Sequence, residues 1–280
     1  MNDSFSQQQF NLEKKWHQAL LAETDASKRR SLYQQAYGEF FAFAQKHNIP
    51  QDYSSGRLKN VAPLYRFCIQ GKTGVDFGCG EGRSTLAWAQ FARQMYGIEV
   101  EETAIAAEVR QQAPAHVAYM ISQGNIPLPA ASVDFVFSQE VFEHLHPQDG
   151  VNHLREVYAL LKPEGRYIMM MPNRLFGPND ISGQFLARGS QAQGLHLREY
   201  SYAEITDLAR QAGFRRVTSP LISEYVWRVL GLSFLYKYFF VPVQVKIRLE
   251  RWLDRHYFGA LTRIIGKILR VTGITVILEK

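Results

Sequence analysis

From Val75 to Met171, short apolar runs alternate with stretches of helical spacing, and that alternation admits few folds other than a parallel sheet covered on both faces. The expected strands are GVDFG around Val75, QMYGIE ending at Glu99, AYMIS ending at Ser122, VDFVFS from Val133 and RYIMMM from Arg166. Between the last two, Val151, Leu154, Tyr158 and Leu161 share one helical face, which Lys162 to Gly165 should stop. Ser201 and Glu204 have capping-box spacing ahead of a helix ending at Gly213. A short strand around Val217 and a closing strand ITVILE bring the expected sheet to seven strands, mostly parallel, in an α/β Rossmann-like fold.

The flanks read differently. Residues 7 to 47 repeat apolar side chains at helical spacing (Leu12, Trp16, Leu20, then Leu32, Ala36, Phe40, Phe43), and Asn48 to Asn60 reads as a linker. About 50 residues separate the last two strands, far more than a hairpin loop of 2 to 5. The expected division is therefore 1–60, helical cap and linker; 61–220, core; 221–272, amphipathic basic insertion; and 273–280, final strand. With 46% apolar residues the chain can bury a large core, and two cysteines provide neither a disulfide framework nor a four-thiolate zinc site. The start, MNDSFSQQQF, has no apolar signal segment, so a cytoplasmic location is expected.

The densest chemical signal is VDFGCGEGRS, Val75 to Ser84, where a strand should turn into a helix. Glycines there let the backbone turn tightly and approach a ligand closely. A dinucleotide fingerprint would need glycine in place of Arg83, and the spacing is G-x-G-x-G instead. Glu99 ends the next strand 19 positions beyond Gly80, where an acid can accept hydrogen bonds from both ribose hydroxyls of a nucleotide-like cofactor.

Taken together, DFGCGEGRS, GIE at Gly97 to Glu99, IPLPAASVDFVFSQEVFEHL, LLKPEGRYIMMMPN and HLREYSYAEITDLARQAGF resemble the class I S-adenosylmethionine-dependent methyltransferases. The likeness is to the branch with quinone-biosynthesis and many small-molecule and glycan methyltransferases, over about Val75 to Gly213. It implies that the turn residues Asp76, Gly78, Cys79, Gly80 and Gly82 hold the methionine portion of S-adenosyl-L-methionine, with Asp76 suited to its ammonium group. It also implies Glu99 on the ribose, the end of the third strand on the adenine, and Gln139 to Phe142 on the methyl-sulfonium side. Relatives often read the adenine with an acid; this chain has SQGN, which leaves Ser122 or Asn125 as substitutes beside Gln123.

If the methyl acceptor is a hydroxyl, a base is useful, and His144, His196 and neighbouring Glu143 are the candidates in the expected ligand loops. Glu143, His144, His146, Asp149 and His153 lack a paired-histidine metal spacing, and His153 should fall off the apolar face of its helix, so no metal is expected. The methionine run 169–171 reads as core, and Trp16, Tyr33, Tyr37 and Phe40 as a buried helix face.

The net charge of +6 has a single source: from Leu221 onward ten basic residues face four acidic ones. Residues 226–271 combine that charge with large apolar side chains, and Arg263, Lys267 and Arg270 should gather on one face of a helix. The expected partners are a small-molecule, glycan or lipid-linked methyl acceptor and an anionic membrane surface. Nucleic acid is not, because no Asn-Pro-Pro-Tyr type tetrapeptide occurs. A scaffold that keeps the fold without catalysis, or a nucleic-acid methyltransferase, are the alternative readings.

Overall fold

The computed structural model describes residues 4–49, 61–122 and 126–280, so Gln123, Asn125 and most of the expected linker lie outside the described residues. Helix α1, Phe5–Ala22, starts where the Ser4 hydroxyl accepts from the Gln7 amide, and α2, Ala26–Lys46, where Asp25 accepts from two amides. Such caps satisfy donors that a helix start leaves unpaired, worth about 1 kcal/mol each. The two helices close on each other through Trp16, Leu20 and Ala36, and they pack on Leu195 and Leu197 from far along the chain.

After the short helix α3, Arg66–Ile69, the chain alternates as its sequence predicts. Strands β1 (Thr73–Phe77), β2 (Gln94–Glu99), β3 (Val117–Ile121), β4 (Val133–Gln139) and β5 (Leu161–Pro172) carry between them α4 (Arg83–Ala89), α5 (Ala107–Gln111) and α6 (Gly150–Leu160). Helix α7, Tyr202–Gln211, opens on the Ser201–Glu204 capping box, followed by β6, Arg216–Pro220. The eight-stranded sheet has the order β3-β2-β1-β4-β5-β8-β6-β7. Strands β1 to β5 pair in parallel, and β8 (Gly273–Glu279) runs antiparallel between β5 and β6. The chain builds outward from β1 on one side, then crosses to β4 on the other. Ligand crevices form beyond the carboxyl ends of strands at such a reversal.

The strand count exceeds the expected seven by β7, Phe240–Pro242, three residues of the insertion added to the sheet edge beside β6. Alternation along β5 sends Met169 and Met171 to one face and Ile168 and Met170 to the other, all buried as core. Helix α6 departs from expectation: its buried side is His153, Leu154, Val157 and Leu160, not the Tyr158 side. His153 belongs to that apolar face because the Tyr167 hydroxyl, 3.1 Å away, satisfies its ring nitrogen.

The insertion holds α8 (Glu224–Val229), β7, α9 (Val243–Arg255) and α10 (Ala260–Ile268). Two of its cations are interior. The Lys246 ammonium donates to the carbonyls of Leu221, Leu269 and Arg270, and burial lowers its pKa to about 7. Arg270, expected on one helix face with Arg263 and Lys267, instead pairs at 3.2 Å with Glu224, both side chains nearly buried. Breaking a buried pair by removing one partner strands the other charge, at a cost of about 3 to 5 kcal/mol. Arg270→Ala should therefore lower the urea midpoint of unfolding by that free energy, and replacing the pair jointly (Arg270→Met with Glu224→Gln) should recover much of it. Equal midpoints for wild type and Arg270→Ala would show that the pair does not tether the insertion.

Candidate active site

The turn after β1 is fixed from below and from the side. Asp76, 1% exposed, accepts at Oδ2 from the Ser84 hydroxyl at 2.5 Å and the Thr85 hydroxyl at 2.7 Å, which joins the strand end to the first turn of α4. Burial raises its pKa to about 6, against the lowering effect of those two hydroxyls. Asp76 thus sits beneath the turn as part of its foundation. The Gly78 and Cys79 amides donate back to the Ile98 carbonyl, and Gly82 caps α4 in the left-handed region at φ +85°.

Two glycines of the turn differ in what surrounds them. A Cβ on Gly78 would stand 2.4 Å from Val141, whereas one on Gly80, at φ +53°, would meet nothing within 4 Å. Gly78 is needed for packing, and Gly80 opens onto free space at the carboxyl end of β1. Across that space Glu99 accepts from the Gly80 amide at 2.8 Å through Oε2 and from the Val100 amide through Oε1. Burial raises its pKa, opposed by these two amides. Ser122 donates its amide to the Glu99 backbone carbonyl, which holds the end of β3 beside the end of β2. At the end of β4, Gln139 keeps a buried side-chain oxygen without a partner.

Glu143 follows in the β4 loop, fully buried, with neither carboxylate oxygen bonded. Burial, then the Glu140 charge, pushes its pKa well above the ordinary carboxylate range. The His144 ring nitrogen Nδ1 donates to the Leu195 carbonyl at 2.9 Å, and the ring stands edge-on to His196 with centroids 4.9 Å apart. Burial, then the His196 charge, lowers its pKa to about 3. His196 behaves oppositely: burial disfavours its charge, but the Glu199 carboxylate, 2.8 Å from Nδ1, and Asp180 outweigh that and raise its pKa. A carboxylate only accepts, so Nδ1 carries the proton and Nε2 is left as the basic nitrogen.

The fold thus gathers His196 with Glu143 and His144, their potential ligand atoms within 4.8 Å of one another, close enough to hold a metal ion. The string that the sequence suggested disperses instead. Asp149 pairs with Arg29, His146 Nδ1 accepts from the Gln148 amide, and His153 lies in the core.

Several participants carry no sequence signal. Glu199 is fixed by the Asn179 amide at 2.6 Å and its side chain at 2.9 Å, and so holds His196 in place. Glu13 and His17 of α1 reach the Leu195 amide and the Gly194 carbonyl. Tyr33, expected only in a helix face, accepts from the His146 amide and donates to the His144 carbonyl. Tyr37 lies within the fields of Glu99 and Glu143, and burial, before these charges, keeps its hydroxyl protonated. Only the i, i+3 spacing of His196 and Glu199 was visible in advance, and in a loop that spacing predicts no contact.

Comparison with known proteins converges on this region. A family profile described as a methyltransferase domain matches residues 75–169. A probable S-adenosylmethionine-dependent methyltransferase of Mycolicibacterium smegmatis is 34% identical over 51% of this chain and 52% of its own length. A ubiquinone biosynthesis O-methyltransferase of Rhodopseudomonas palustris is 31% identical over 38% of this chain and 42% of its own. The chain therefore spans about half the length of such relatives. Among solved structures, the 1,6-didemethyltoxoflavin-N1-methyltransferase of Burkholderia thailandensis shares the fold with TM-score 0.53 at 20% identity, over 70% of this chain and 82% of that one. A SAM dependent methyltransferase from Archaeoglobus fulgidus does so with TM-score 0.51 at 18% identity, over 86% and 99%. With fold, strand-end turn and matched segment in agreement, residues 75–169 match a methyltransferase domain, and the fold around them is the Rossmann-like fold of class I S-adenosylmethionine-dependent methyltransferases.

Proposed function

We propose that the protein transfers a methyl group to an oxygen of a small-molecule, glycan or lipid-linked acceptor, with His196 as the base. The observation that carries the base assignment is the Glu199 carboxylate at His196 Nδ1. The residues of the turn fit the cofactor: there is open space over Gly80, the Glu99 carboxylate beside it is an acceptor with lone pairs beyond those its two amide contacts use, and Gln139 keeps an unpartnered buried acceptor oxygen. Glu99 would take the ribose hydroxyls, the Gly78 to Gly82 backbone the amino-acid portion, and Ser122 the adenine side. S-adenosylmethionine, when bound, supplies a methyl group already activated on a sulfonium, so little more than orientation is asked of the protein.

The chain's own contribution is to take up the acceptor's proton. An acceptor hydroxyl that hydrogen-bonds to His196 Nε2 gives up its proton there, and Glu199 stabilises the resulting imidazolium through Nδ1. His144, held neutral by its burial, is suited to orient the acceptor, not to receive a proton. Tyr33 and Tyr37 of α2, with the loop from Asn173 to Tyr200, cover these groups and exclude water.

Calorimetry with S-adenosylhomocysteine should show binding by the wild type and a loss of about 10- to 100-fold in Glu99→Ala, since a charge-assisted hydrogen bond contributes about 1.5 to 3 kcal/mol. Gly80→Val, which fills the open space, should weaken binding as well. No binding by the wild type would end this reading, and binding without turnover on any acceptor would favour the scaffold alternative.

Once an acceptor is found, His196→Ala should reduce kcat by about 10² to 10⁴-fold with near-normal cofactor affinity. The base acts unprotonated, and its pKa is raised, so kcat/KM should climb with pH through a value above the ordinary histidine pKa of about 6.5. Glu199→Gln should move that limb to lower pH. A wild-type profile flat across this range would remove His196 from the role. Activity should survive chelator; loss in chelator with recovery on adding a divalent ion would give Glu143, His144 and His196 to a metal instead.

A further inference from the structure

We infer that the outer face of the insertion, centred on α10, is a docking surface for an anionic lipid bilayer. Helix α10 is mounted inside out. Thr262 and Gly266 are its buried residues, and a Cβ on Gly266 would come within 2.8 Å of Phe176, so the helix packs through its small side. Its apolar stripe points away: Phe258, Leu261, Ile264 and Ile268 are 68%, 56%, 55% and 47% exposed. Such a stripe normally faces a core.

Neighbouring elements extend the same character. The Ser223 amide donates to the Ile268 carbonyl, so α8 begins against the end of α10, and there Tyr225 and Val229 are 67% and 65% exposed. An aromatic and aliphatic surface of this extent on one segment is the mark of an interaction site.

Charge selects the occupant. Arg228, Arg263 and Lys267 are exposed around these side chains, together with Lys237, Arg248, Arg251 and Arg255 from the rest of the insertion. The insertion's Glu224 and Glu250 are buried, which leaves Asp254 as its exposed acid among the described residues. A second copy of this chain on the same face would bring like charges together, which an isologous contact cannot avoid. Anionic headgroups are complementary to the cations, and the stripe can enter the acyl boundary. Among the described residues no helix is long and apolar enough to cross a membrane, so the surface would lie in the interface.

The face also bears on the site. Arg188 stacks on Tyr257 at 3.6 Å, and Phe176 lies under α10, so the loop that ends in His196 and Glu199 is attached to the docking helices. Docking would hold that loop at the bilayer, where a lipid-linked acceptor resides. The lipid contact itself does not depend on the methyl-transfer reading.

The test is vesicle sedimentation of the full chain with phosphatidylcholine alone and with phosphatidylcholine mixed with phosphatidylglycerol, at low and physiological salt. The wild type should pellet with the anionic vesicles, less at higher salt. Arg263→Gln with Lys267→Gln should bind about thirtyfold more weakly, from about 1 kcal/mol per cation near an anionic surface. Leu261→Ser with Ile264→Ser should abolish binding at both salts while leaving S-adenosylhomocysteine binding intact, since both side chains are exposed. That comparison separates failure of docking from failure of the cofactor reading. A wild type that stays in the supernatant with anionic vesicles at both salts would overturn the proposal. So would a dimer in light scattering that the serine variant converts to monomer, which would make the face an interface between copies.

Discussion

The candidate site depends on two carboxylates that hold one glycine turn. Asp76 grips it from beneath through the hydroxyls of Ser84 and Thr85, and Glu99 grips it from the neighbouring strand through the Gly80 amide. Each acid is costly to bury, as the upward displacement of both pKa values shows, and each is compensated by two donors: the Ser84 and Thr85 hydroxyls for Asp76, the Gly80 and Val100 amides for Glu99. The geometry is thus overdetermined: moving β1 against β2, or α4 against β1, would strand a buried carboxylate. A loop of small residues becomes rigid in this way, and its one open position, Gly80, is where a ligand can meet backbone.

The other half of the site is made of pieces remote in sequence. The loop after β4 contributes Glu143 and His144, the loop after β5 contributes His196 and Glu199, and α1 and α2 tie both down through Glu13, His17, Arg29 and Tyr33. Arg29 is 2% exposed and donates to both oxygens of Asp149, so the amino-terminal helices are anchored by a charge-assisted fork as well as by apolar packing. Protein therefore displaces much of the water that would dampen the fields of these groups: His196 and Glu199 are buried and His144 is half-buried. The opposite displacement of the two histidine pKa values follows: both are buried, and only His196 has a carboxylate partner.

What could be read in the sequence was local. QMYGIE is β2 residue for residue, the Ser201–Glu204 cap is present, and the methionine run alternates between two cores, because strand periodicity and capping depend on neighbours a few positions away. Contacts such as Arg29 with Asp149 or Tyr33 with His146 leave no local trace. The helical spacing of the insertion's apolar residues was visible, but not which of them point outward: Ile265 and Val271 pack inward, whereas Leu261, Ile264 and Ile268 are exposed. Arg270 was misplaced for the same reason, and the burial of Lys246 left no trace, since a basic residue in a basic segment gives no sign that a buried acid or a set of carbonyls awaits it. Strand β7, three residues inside an apolar stretch, is too short for any period to register.

The most direct measurement of the central claim is a crystal structure of the full chain grown with S-adenosylhomocysteine. The account predicts the ligand at the carboxyl ends of β1 and β2, with its ribose hydroxyls on Glu99, its amino-acid portion over Gly80 and its sulfur directed toward Gln139 and His196. Ligand bound elsewhere, or a turn whose free space over Gly80 is filled by the protein itself while Glu99 makes no contact to the ribose, would contradict it.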